Sequence, residues 1–243
     1  MSRSRCRHMH VTRRVACMCT VARVETFVVR VWLPDRPGAL GQVASRIGAL
    51  RGDVVGIDIL ERGGGRAVDE LVVSLPDLGL VDLLVAEIMQ VDGVAVEDVR
   101  RVANDRPDSG LVALEIVAEL AESAPDMRLG MVTERLELLL DADWVAVLDA
   151  AAGTAVVGRG TLPDMAWLTA FLDGSRHLDE VAQTAGAPGD LAWAWLGGVD
   201  AASGRDLVVV LGRTGRPFHA RERAQLGLLC RATTALLAVG APA

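Results

Sequence analysis

Apolar residues recur with two different periods along the chain, and the switch between periods marks out elements. Positions 26–33, Thr-Phe-Val-Val-Arg-Val-Trp-Leu, read as a buried strand. From position 37 to 50 the spacing becomes helical, with Leu40, Val43, Ala44, Ile47 and Leu50 on one face. A second strand spans 53–60, with Val55, Ile57 and Ile59 on one face and Asp58 on the other. Arg62-Gly63-Gly64-Gly65 predicts a hairpin turn, and 67–75 a third strand that Pro76 ends. Leu80, Leu83, Leu84 and Ile88 line a helix over 80–89. Val91-Asp92-Gly93 then turns into a fourth strand over 94–102. The order βαββαβ predicts a ferredoxin-like unit, both helices on one face of an antiparallel sheet.

Asn104 to Gly110 is polar and turn-forming, and reads as a linker. Beyond it, helices are predicted at 111–121 (Leu114, Val117 and Ala118 aligned) and 127–140 (Val132, Leu136, Leu139 and Leu140 aligned), with Pro125 between them. Strands follow at 143–148 and 154–159, a short helix at 163–172, a strand at 190–196 with Trp193 and Trp195 on one face, and a wholly apolar strand at 206–212. A last helix over 218–239 turns Leu226, Leu229, Cys230, Thr233 and Leu236 inward.

With 243 residues, 51% hydrophobic, the chain is long enough for two domains with real cores. All 25 basic residues are Arg, and Tyr is absent. Such a bias fits GC-rich coding, so arginine alone is not read as a phosphate-binding signal. Net charge is −7, and six arginines with no acid fall in the first 23 residues, leaving −13 on the rest. A body that acidic repels nucleic acid. No apolar run is long enough to span a bilayer, four cysteines make no disulfide framework, and a cytoplasmic location is expected. Residues 1–24 are read as a disordered basic tail. Its Cys17, Cys19, His8 and His10 lack zinc-finger spacing, and its apolar run 15–22 is short for a signal peptide.

The most suggestive chemistry lies at Pro34-Asp35-Arg36-Pro37-Gly38-Ala39-Leu40-Gly41. Pro37 keeps Arg36 out of the helical region, so the helix starts after it. Asp35 is placed to cap the Gly38 and Ala39 N–H groups. Bare N–H groups at a helix start attract carboxylates. Strand, D/N-x-P-G-x-L turn and helix, with the element order over 25–103, resemble the ACT domain, a regulatory module that binds amino acids. The resemblance implies a ligand at this turn: Asp35 on its ammonium and the amides of Gly38, Ala39 and Leu40 on its carboxylate, beside Pro37. Asp53 and Val54 would line the pocket from a neighbouring domain. It also implies a homodimer. The alternative is that the turn only starts a helix and the sheet only dimerises.

In the second half, Gly215-Arg216-Pro217-Phe218 followed by Arg221-Glu222 resembles the end of a GAF domain. His219 stands where a capping hydroxyl is usual, so the capping box loses one of its two bonds, at about 1 kcal/mol. Trp144, Trp193 and Trp195 are read as core or as pocket lining, and Cys230 as a small core residue. The resemblance does not extend to the cyclic-nucleotide-binding GAF domains, whose Asn-Lys-Phe-Asp-Glu set a chain without Lys cannot match. His177 with Asp179 and Glu180 lacks a nucleophile in context. Gly158-Arg159-Gly160 and Gly63-Gly64-Gly65 do not complete phosphate-binding fingerprints.

The fold expected is therefore α+β: an ACT domain at 25–103, a linker at 104–110 and a GAF-like domain at 111–240. The function expected is a non-catalytic, amino-acid-binding sensor and allosteric regulator. It is dimeric, with no cofactor, metal, nucleic acid or membrane, and with room for a protein partner. The rival is a dimerisation or interaction scaffold without a small ligand.

Overall fold

The first sheet is organised around β1 (Glu25–Pro34), which is buried on both faces over most of its length. In a computed structural model describing residues 24–176, 189–197 and 206–239, it pairs antiparallel with β3 (Arg66–Leu75) and β4 (Ala95–Val102), and β3 pairs with β2 (Asp53–Gly63). The strand order is β2-β3-β1-β4, with β2 and β4 at the edges. Gly64 and Gly65 both take positive φ, 59° and 75°, as a tight hairpin between β2 and β3 requires. Helices α1 (Ala39–Ala49) and α2 (Val81–Ile88) cover one face. Val43, Ile47, Leu84 and Ile88 pack there on Phe27, Val29, Val31 and Leu33. The predicted element order and the single helical face are both present.

Helix α1 begins at Ala39, two residues later than its periodicity suggests. It ends in a Schellman turn: the Arg51 amide bonds the Gly48 carbonyl at 2.9 Å and the Gly52 amide bonds Ile47 at 3.1 Å. Arg51 carries the positive φ of 59° that glycine usually supplies.

Helix α3 (Ser109–Glu122) starts inside the stretch read as a linker, because Asp108 caps it by accepting from the Gly110 and Leu111 amides, both at 2.9 Å. Its inward residues are Ile116 and Leu120; Leu114, expected inward, is 67% exposed. Helix α4 (Arg128–Leu139) buries Val132 and Leu136 as expected. The second sheet has the order β6-β5-β8-β7, from β5 (Trp144–Asp149), β6 (Thr154–Gly160), β7 (Leu191–Leu196) and β8 (Leu207–Gly212), all antiparallel. Helix α5 (Met165–Ser175) covers one face through Leu168 and Leu172. Helices α3, α4 and α6 (Ala220–Val239) cover the other, with Leu226, Leu229 and Cys230 inward. Both faces of β8 are thereby covered, which explains its unbroken apolar run. Trp144, Trp193 and Trp195 pack against the cluster beneath α5, Trp193 edge-on to Phe171 at 5.0 Å.

The chain is thus a mixed α+β fold with two antiparallel four-stranded sheets and, among the described residues, six α-helices. No described helix is long and apolar enough to cross a membrane. The basic tail, apart from Val24, and His177, Asp179 and Glu180 lie outside the described residues.

Candidate functional site

Two helix starts carry the chemistry, and they differ. At α1, Gly38 is the N-cap residue with φ 87°, and no side chain caps the helix. Asp35, expected to do so, is exposed and makes no cap bond. Its backbone amide instead bonds the Gly65 carbonyl of the β2–β3 hairpin at 2.9 Å. That bond holds the turn against the hairpin and aims it away from the capping geometry. Pro37 and Gly38 are exposed. The Ala39 amide bonds the Arg36 carbonyl at 3.3 Å, and Ala39 is buried, so one of the three expected donors is taken. Among the described residues the Gly38 and Leu40 amides have no hydrogen-bond acceptor. Leu40 itself packs against the first core.

Asp53 and Val54 sit at the other end of the same sheet. Asp53 pairs with Ser74, which pairs with Thr26, whereas the turn follows Pro34, opposite Arg66. Eight strand residues separate the two ends, roughly 26 Å. Within one chain they do not meet.

At α6 the helix start is capped, the His219 amide by Glu222 and the Ala220 amide by Glu61 at 3.4 Å. Glu222 accepts from the His219 amide at 2.9 Å, the one bond of the capping box that remains. Its carboxylate also takes Arg30 Nη2 at 2.7 Å and Arg213 Nη2 at 2.8 Å. Arg30 reaches from β1 and bonds Glu70 of β3 at 2.7 Å through Nε. Arg100 and Arg106 add bonds to Glu70 at 3.3 and 3.1 Å. The His219 ring spans Glu61 at 3.1 Å and Glu97 at 2.9 Å, and Trp32 meets it edge-on while donating to Glu97 at 3.0 Å. The helix-free face of the first sheet is therefore joined to α6 by buried charges.

Each titration shift in this joint is a contest between burial and partners. Burial pushes the Glu222 carboxyl up, but Arg30, Arg213 and the His219 amide hold it below its ordinary value. Burial likewise opposes ionisation of Glu70, and Arg30, Arg100 and Arg106 outweigh it. Burial disfavours the charged His219 ring, yet Glu97 and Glu61 raise its pKa above 6.5. Cys230, with no such partner, has its thiol pushed up to about 12 by burial and is chemically quiet.

A cavity of ≈ 30 Å³ lies within the joint, lined by Arg30, Glu70, Asp141 and Glu222 among others. That is room for water and not for a metabolite. A larger cleft of ≈ 660 Å³ opens between the end of β4 and helices α3 and α4, beside Arg101, Arg106, Arg135 and Leu138. Its arginines already bond Glu25, Glu70 and Glu119. Neither space is lined by residues of the α1 turn. Among the described residues no group of acids, His and Cys is arranged to hold a metal.

The joint was missed in the sequence, although a signal existed: Arg30 interrupts a strand that is otherwise apolar from 27 to 33, and Asp69-Glu70 interrupts another. Burying such residues requires partners.

No family model matches the chain, and no curated protein matches it. Solved structures similar to parts of it include an uncharacterized protein from Thermotoga maritima, 18% identical, with a TM-score of 0.27 over 33% of this chain and 99% of that one. The ACT domain from GTP pyrophosphokinase of Chlorobium tepidum is also 18% identical, with a TM-score of 0.27 over 35% of this chain and 93% of its own. An unknown protein from Galdieria sulphuraria is 13% identical, with a TM-score of 0.30, covering 78% of this chain and 80% of that one. At these TM-scores the likeness says nothing of function.

Proposed function

We propose that the protein is a non-catalytic regulatory module that binds an amino acid or similar small carboxylate at the turn before α1, acting as a homodimer. The observation that carries this reading is the helix start at Gly38, exposed, without a side-chain cap and with the Gly38 and Leu40 amides open. Such a start favours an anion through its free donors and its dipole. The βαββαβ order and the turn sequence resemble those of an ACT domain, which supports this reading, and the helix-flanked second sheet is read as GAF-like.

Dimerisation is supported by β2. It is an edge strand, and Val55, Ile57 and Ile59 along it are 58%, 48% and 37% exposed. Antiparallel pairing of two β2 edges would set the Asp53 end of one copy beside the Gly63 end of the other. There it meets the hairpin that holds Asp35. The ligand site would then be shared between copies, with Asp53 and Val54 from the partner. The same exposed edge favours the second reading, a scaffold that pairs copies and binds nothing small.

A route for the signal runs along β1. Arg30, in the charged joint, lies four residues before Pro34, where the turn begins. A ligand that shifts the turn would act on Arg30 and so on α6, provided it binds the two joint geometries unequally. The test is a thermal-shift screen of the twenty amino acids on the wild type and on Gly38→Val. A melting shift with at least one amino acid, lost in the variant, is the expected result. No shift with any of them leaves the scaffold reading.

A further inference from the structure

We propose that Asp69 is the receptor for a ligand's ammonium group, so that the α1 turn selects free amino acids over acids lacking a charged amine. This rests on the reading of the α1 turn as the ligand site. Asp69 is 4% exposed, and its Oδ1 is buried without a hydrogen-bond partner. No hydrogen bond to either of its oxygens is present among the described residues. A buried carboxylate left in that condition is costly, and natural structures seldom keep one without a reason.

Its position gives the reason. Asp69 pairs with Val31 of β1 and Ile59 of β2, so its side chain lies on the helix-covered face of the sheet. The next residue pair on that face is Leu33 with Ala67, roughly 7 Å further along. Pro34, Asp35 and the start of α1 follow directly. Burial holds the Asp69 carboxyl above its ordinary value; Arg62 pulls it down, and the charge of Asp35 raises it further. Asp69 and Asp35 therefore act on each other through charge, and Asp69 lies one same-face residue pair before the end of β1, beside the edge strand β2, where its neighbour Ile59 is 37% exposed. Arg62 acts on Asp69 through charge and donates no hydrogen bond to it. What its Oδ1 lacks is a hydrogen-bond donor, and a charged ammonium supplies one.

An α-amino acid carries an ammonium and a carboxylate on one carbon. Its carboxylate suits the Gly38 and Leu40 amides, and its ammonium suits the two acids. A keto acid or N-acylated acid would satisfy the helix start and leave Asp69 unpaired, and the cost of that unmet group is the basis of selection.

The experiment is calorimetry and thermal shift on the full chain with the twenty L-amino acids and their N-acetyl derivatives, using wild type and Asp69→Asn. The expected result is that an amino acid binds wild type, its N-acetyl derivative binds at least tenfold more weakly, and Asp69→Asn loses affinity by a similar factor. The N-acetyl arm needs no variant, so a misfolded Asp69→Asn does not end the test. If N-acetyl and free forms bind wild type alike, the Asp69 assignment is overturned while the turn survives as a carboxylate site. If no compound of either series binds, both the assignment and the reading beneath it are overturned.

Discussion

The turns entering α1 and α6 share a plan, a strand followed by a proline-containing turn and a helix, and they are finished in opposite ways. Before α1, Asp-Arg-Pro-Gly looks like a well-capped start and is left open, with Gly38 at φ 87° and no cap. Before α6, Pro-Phe-His looks like a damaged cap and is densely bonded, with His219 and Glu222 tying α6 to the first sheet. A closed start serves as a joint, since its first two amides are taken by Glu222 and Glu61 and its side chains are paired across to the first sheet. An open start keeps donors for something that comes and goes. The presence of capping residues in the sequence does not say which of the two a turn will be. What decides it is where the neighbouring strand sends its own polar groups.

If that contrast is right, Glu222→Ala has the largest effect. It strands Arg30 and Arg213 as buried cations and frees the His219 amide. Removing one partner of a buried pair costs about 3–5 kcal/mol. Urea unfolding should show a loss of that size, and the two sheets should cease to unfold together. A loss below about 1 kcal/mol would mean that the joint is a surface ornament.

Next comes His219. Its folded pKa lies above 6.5, so the protonated ring is bound more tightly in the folded state. Its stabilisation is complete below the unfolded value of about 6.5 and disappears as pH rises through the folded value. The carboxylates of Glu70, Glu97 and Glu222 are held below 4.5, so their share is present above that value and disappears as pH falls through their folded values. Stability measured against pH should therefore decline on both sides of a mildly acidic window. In His219→Gln the alkaline decline should vanish, with about 2 kcal/mol lost inside the window as two charged hydrogen bonds go.

The fold was largely legible because apolar spacing reports burial, and the strands and helices of both sheets fall close to where their periods place them. The joint was not legible because bulges break the period. Leu60 is an extra residue between Ile59, opposite Asp69, and Glu61, opposite Val68, so Glu61 turns to the joint face. Glu97 is likewise extra between Val96, opposite Val31, and Asp98, opposite Arg30. A strict period-two count from Ile59 puts Glu61 on the helix-covered face, and one from Val96 puts Asp98 there, whereas both pair with residues of the joint face; no single-strand pattern reveals that His219 waits for Glu61 and Glu97. The outward face of α3 was misread for a related reason: Leu114 fits a helical stripe, but the core lies on the side of Ile116 and Leu120. Of the α1 turn, the sequence showed the glycine and the helix start, while the hairpin contact that redirects Asp35 joins residues 30 apart.

At the open start, Gly38→Ala separates backbone strain from crowding. No atom lies within 4 Å of where a Cβ would sit, so nothing is displaced. The positive φ is still unfavourable for alanine, at about 1–2 kcal/mol. By contrast, a Cβ on Gly93, also at positive φ, would sit 2.9 Å from Pro34 Cγ, so Gly93→Ala should cost more. Thermal melts of the two variants give the order directly. A reversed order would mean that the α1 turn is packed against something and is not open.

The smallest effect on stability is also the most telling. Asp35→Ala should change the unfolding free energy of the ligand-free protein by no more than about 0.5 kcal/mol, as for other exposed sites. A capping aspartate would cost about 1 kcal/mol on removal. Asp35 caps nothing; its bond to the hairpin comes from the backbone, which alanine keeps. Its side chain also bears on Asp69, whose carboxyl it raises. Losing that repulsion stabilises slightly, opposite in sign to the loss of a cap. Denaturant melts at pH 7 supply the number. A cost near that of a lost cap would show that the carboxylate closes the helix start in solution, and both helix starts would then be of one kind. A near-zero cost joined to weaker amino-acid binding would show a side chain kept for its ligand and not for the fold.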